Sequence, residues 1–124
     1  MPFGAHVPSV RADLFGGKGA VAVHDLLGAR LAPPFAAALG CVLEAGGRVG
    51  RHRQQQCPEI VIGLAGQGEI EVDRKVRPFG PGDVVYLPLG SVLALRNLSE
   101  EAPLEYLIVK AWLPVAPPVE EGAP

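Results

Sequence analysis

Glycine and proline interrupt this chain so often that few folds are open to it. Sixteen glycines and thirteen prolines fall among 124 residues, and most are spaced through the chain rather than pooled in one segment. Proline removes a backbone donor and glycine raises the cost of helix, so a long helix does not survive such spacing. What remains between the breaks is a series of short apolar runs, and these read as strands joined by turns. The runs are residues 20–27, 35–43, 49–53, 59–65, 69–72, 76–77, 84–87, 92–96 and 104–113. Pro33-Pro34 argues against one regular helix through the alanines that follow, with a short helix begun at Pro34 as the alternative to the strand at 35–43. Residues 78–83 (Pro-Phe-Gly-Pro-Gly-Asp) read as a loop.

The length suits one domain with a single core. Residues 1–19 read as an arm or short edge strand, placed to lie on a partner subunit. Residues 20–115 form the barrel, and the Pro- and Glu-rich residues 116–124 a loose tail. A net charge of −2 gives no basic footprint, so nucleic acid is not an expected partner. No basic segment followed by an apolar run opens the chain, and no stretch is apolar for long enough to cross a bilayer. A soluble cytoplasmic protein with no membrane partner is therefore expected. Cys41 and Cys57 are too few for a disulfide framework and read as small buried hydrophobes.

The chemistry collects in residues 46–66. His52 and Gln54 are two apart and share one face of a strand, with Arg51 and Arg53 on the opposite, solvated face. Glu59 opens the next run and shares its face with Val61 and Gly63. A turn that brought the two faces together would set an imidazole, an amide oxygen and a carboxylate around one point. Glu69 and Glu71 alternate with apolar residues and read as solvent-facing. His6 reads as a solvated arm residue, and His24 as an ordinary hydrogen-bonded histidine, with a pocket or rim role as its alternative.

The same stretch resembles the first motif of the cupin superfamily, G-x5-H-x-H-x3–4-E-x6-G. It reads Gly46, His52, Gln54 in place of the second histidine, Glu59 and Gly66. The second motif, G-x5-P-x-G-x2-H-x3-N, falls without a gap on Gly82, Pro88, Gly90, Leu93 in place of histidine, and Asn97. The resemblance implies an all-β fold, an antiparallel double-sheet jelly-roll barrel. In cupins with the full set, three histidines and a glutamate hold a divalent metal. Carried over, His52, Gln54 and Glu59 are the candidate metal ligands, with Cys57 as a minority candidate. One nitrogen and two oxygens would favour manganese, iron or magnesium over zinc. The alternative is no metal at all, the trio then being a hydrogen-bonded polar network.

Val61, Gly63, Leu93 and Leu95 would line an apolar pocket, Gly63 leaving space beside Glu59, and a partly hydrophobic small molecule is the expected ligand. Two function classes follow. One is an enzyme using Glu59 and His52, with or without a metal, for isomerisation, cyclisation or oxygenation. The other is a non-catalytic barrel that binds a ligand or serves as a dimerisation module. A homodimer is expected in either case, because jelly-roll barrels of this size leave apolar strand edges to cover.

Overall fold

A computed structural model describes residues 3, 4 and 6–113 of the chain. They build ten strands, β1 (Ser9–Ala12), β2 (Ala20–Asp25), β3 (Phe35–Leu43), β4 (Arg48–Arg53), β5 (Glu59–Ala65), β6 (Gly68–Val72), β7 (Lys75–Phe79), β8 (Val84–Leu87), β9 (Val92–Asn97) and β10 (Leu104–Ala111). One turn of 3-10 helix, Leu14–Gly16, lies between the first two. The glycines of both motifs, Gly46, Gly66, Gly82 and Gly90, all have φ between 70° and 96°, a region other residues enter at a cost, so they serve as turns.

Two antiparallel sheets face each other. One has six strands in the order β1-β2-β3-β10-β5-β8, and the other four in the order β4-β9-β6-β7. This is the expected jelly roll, and the alternating inward residues of both sheets close one core. Val21, Leu43, Val61, Ile70, Phe79, Leu87, Leu93, Leu95 and Leu104 belong to it. One end of the barrel is clamped by Asn97. Its side-chain Nδ2 donates to the carbonyls of Leu43, Glu44 and Ala102, at 3.2, 3.1 and 2.9 Å, while its Oδ1 accepts from the Ser99 amide. The last residue of the second motif is thus a structural brace.

Several boundaries differ from the sequence reading. Within the segment read as an arm or short edge strand, β1 is a four-residue strand at the edge of the large sheet, and it pairs with β2 of its own chain, Ser9 opposite Val23 through Ala12 opposite Ala20. Pro78 and Phe79 belong to β7 rather than to a loop. Proline is admitted there because β7 is an edge strand, bonded to β6 alone. Strand β10 stops at Ala111, two residues early, and the tail expected from residue 116 lies outside the described residues. Among the described residues no helix is long and apolar enough to cross a membrane.

Candidate functional site

Strand direction brings the chemical residues to one end of the barrel. His52 lies near the end of β4 and is the register partner of Leu93 at the start of β9. Glu59, the first residue of β5, is the partner of Leu87 on one side and of Lys110, near the end of β10, on the other. Directly paired residues send their side chains to the same face, so Leu93 faces His52 and Lys110 faces Glu59.

A β-bulge sets the position of His52. The β4–β9 register shifts between Val49 and His52, so both point inward although they are three residues apart. The bulge sits at Gly50, where a Cβ would overlap the carbonyl of Phe15. Phe15 itself takes φ 54° and lays its ring on the imidazole, centroids 4.0 Å apart and planes 12° from parallel. The His52 Nδ1 lies 3.0 Å from the Gly50 carbonyl. A carbonyl only accepts, so Nδ1 carries the proton and Nε2 keeps its lone pair. Burial lowers the pKa of His52 below its ordinary value, and the charge of Lys110 lowers it further, against the hydrogen bond to Gly50. The imidazole is neutral at neutral pH.

Glu59 is buried, its side chain 3% exposed, and Lys110 Nζ lies 4.0 Å from its Oε2. Burial pushes the carboxyl above its ordinary value, and the ammonium pulls it back. Deeper in, Cys41 and Tyr106 are register partners on β3 and β10. Burial pushes the Cys41 thiol up to about 12, outweighing its hydrogen bond with Tyr106. Cys41 is a thiol at neutral pH, not a nucleophile.

Gln54 is buried just beyond β4, with its backbone amide on the Ser91 carbonyl at 2.8 Å and its side-chain Nε2 without a partner. No hydrogen bond joins it to His52 or Glu59 among the described residues, so the trio is not the closed polar network considered from sequence. The charged neighbour of Glu59 is Lys110, which the sequence reading missed.

Val61, Leu93 and Leu95 are buried in the packed core. The space expected at Gly63 is taken by the chain itself, because a Cβ there would overlap the Gly80 carbonyl and approach the Phe79 ring. Gly63 therefore admits the crossing backbone rather than a ligand. Cys57 is buried and free. Arg51 pairs with Glu71, Arg96 lies 3.9 Å from Glu69, and all four belong to the outer face of the small sheet. His24 also faces out of the barrel, covered by Phe3, with its Nδ1 3.0 Å from the His6 carbonyl.

The donor set does not fit a divalent cation. Among the described residues no three His, Cys, Asp or Glu side chains gather as a metal cluster. Leu93 offers no lone pair at the position facing His52, and the ammonium of Lys110 stands beside the one carboxylate. A second cation there would meet like charge.

The solved structures that resemble this fold agree with it. A predicted oxalate decarboxylase from Thermotoga maritima is 26% identical, with a TM-score of 0.78 over 88% of this chain and 95% of its own. A cupin 2 conserved barrel domain protein from Salinispora arenicola is 30% identical, with a TM-score of 0.63 over 82% and 80%. KdgF from Halomonas shares the fold at 16% identity, with a TM-score of 0.64 over 85% and 89%. No curated protein matches the sequence significantly. The Cupin_2 family, described as the cupin domain, matches residues 41–110, which is more than half of the chain and holds every residue of both motifs; the protein belongs to the cupin family.

Proposed function

We propose that the barrel mouth binds a small, partly apolar organic molecule and moves a proton on it, with Glu59 as the acid–base group and His52 as its partner. The observation that carries this reading is the pairing of opposite tendencies at one end of the barrel. Glu59 is a buried carboxyl held above its ordinary pKa, and His52 a neutral imidazole whose Nε2 is free to accept. Groups tuned in this way are suited to give and take a proton. Leu87 and Leu93 flank them and suit an apolar body. The description of the Thermotoga protein as a predicted oxalate decarboxylase supports a small organic molecule as ligand. Lys110 beside Glu59 makes a metal-independent site the better fit to these residues.

The test is hydrogen–deuterium exchange at carbon, followed by proton NMR in heavy water, across a set of small ketones, 2-oxo acids and hydroxy acids. Wild type should exchange at least one of them, and Glu59→Gln should lose that exchange while still unfolding in one cooperative transition. Equal exchange by wild type and Glu59→Gln would remove Glu59 from the role.

A second reading, a non-catalytic dimerisation or binding module, is favoured by the outer face of β5 and β8. Ile60, Leu64, Val84 and Tyr86 are all exposed there. Ligand binding without any exchange would favour it.

A further inference from the structure

We propose that Lys110 is the resident cation of this barrel and that its ammonium docks the carboxylate of the small molecule. This deepens the reading above and rests on it. Lys110 is the direct register partner of Glu59, so both side chains enter the barrel from the same face of the large sheet. The Nζ–Oε2 distance of 4.0 Å is an ion pair without a hydrogen bond, which leaves the ammonium's donors free toward a ligand. The Glu59 side chain is 3% exposed and that of Lys110 37%, so the carboxylate is enclosed while the lysine side chain reaches solvent.

Lys110 has Ala37 of β3 and Glu59 of β5 as its register partners, which sets it between those two strands at the Glu59 end of the barrel. The surroundings define the rest of the ligand. Leu93 faces His52 and Leu87 pairs with Glu59, so the body beside the carboxylate is apolar. His52 Nε2 accepts and is served by a hydroxyl or an acidic C–H on that body. The class is a short aliphatic acid bearing such a group near its carboxylate. The ammonium supplies, as a fixed side chain, the positive charge that a bound metal supplies in a barrel with four protein ligands.

The experiment compares isovalerate with isovaleramide, its neutral counterpart of the same shape, by calorimetric titration against wild type, Lys110→Met and Lys110→Arg. Wild type should bind isovalerate more tightly than isovaleramide. Lys110→Met should weaken isovalerate by about tenfold or more, the scale of one charge-assisted hydrogen bond, and leave isovaleramide unchanged. Lys110→Arg should keep most of the isovalerate affinity. Equal affinity of isovalerate for wild type and Lys110→Met overturns the assignment, as does equal affinity of both probes for wild type. If both probes bind wild type without distinction, the pocket stands and Lys110 loses its role. If neither binds, the pocket reading falls with it. Should Lys110→Met not fold, the wild-type comparison and Lys110→Arg still decide.

Discussion

The ring of Phe15 lies flat on the imidazole of His52, 4.0 Å away, and joins the segment before β2 to β4. Stacking keeps water from one face of a group whose pKa burial has lowered. Phe15→Ala should therefore move the His52 pKa back up toward 6.5, read from the imidazole proton shift in an NMR titration. No movement would mean that Phe15 is not part of what buries the ring.

The two shifts also predict opposite slopes of stability with pH. The folded-state pKa of His52 lies below its unfolded value, so the unfolded state takes up protons first and stability falls as pH drops below 6.5. Glu59 is shifted the other way. The folded state holds its proton more tightly, so stability is greatest below 4.5 and declines as pH rises through the raised folded value. Melting temperatures from about pH 4 to 8 should show Glu59→Gln losing the second slope and His52→Phe the first. A wild-type slope retained in full by Glu59→Gln would contradict the assignment.

Leu93→His restores the absent imidazole opposite His52. It should cost about 1–3 kcal/mol, the usual range for an imperfectly paired polar group in a core. With Lys110 in place, manganese, nickel and zinc should recover little of that loss. In the Leu93→His, Lys110→Met double variant they should recover more, because metal binding to the folded state alone is stabilising. A large rise in wild-type melting temperature with any of these metals would show that the present donors hold one after all.

Asn97→Ala removes the amide that holds the Leu43, Glu44 and Ala102 carbonyls together. The expected loss is about 3 kcal/mol, the upper end for unpaired buried groups. Chemical denaturation measures it, and a loss under about 1 kcal/mol would show that water replaces the amide.

A homodimer is the expected state in solution. Val84 and Tyr86 on β8 are 60% and 64% exposed at the open edge of the large sheet, beside the exposed Ile60 and Leu64 of β5. Light scattering at micromolar concentration should give twice the chain mass, and Val84→Glu with Tyr86→Lys should halve it. A wild-type monomer would sink the idea.

Most strands could be read from the sequence because glycine and proline bound them, and β3, β5 and β8 have the expected limits. The site could be read only in part. His52, Gln54 and Glu59 are close in sequence and carry a motif, whereas Lys110 lies far along the chain and meets Glu59 only through the β5–β10 register. No local pattern encodes that pairing. Phe15 escaped for a different reason, since its contact with His52 depends on a positive φ in a segment read as an arm. Gly63 was identified but its use was not, because the backbone that crosses it at Gly80 belongs to the link between β7 and β8, well beyond the hairpin.

That crossing ties the two sheets together. The Gly80 carbonyl lies where a Cβ on Gly63 would go, and Gly80 belongs to the link that carries the chain from β7 in the small sheet to β8 in the large one. A methyl group at position 63 would therefore push on the link between the sheets as well as on its own strand, so even the smallest side chain there strains both.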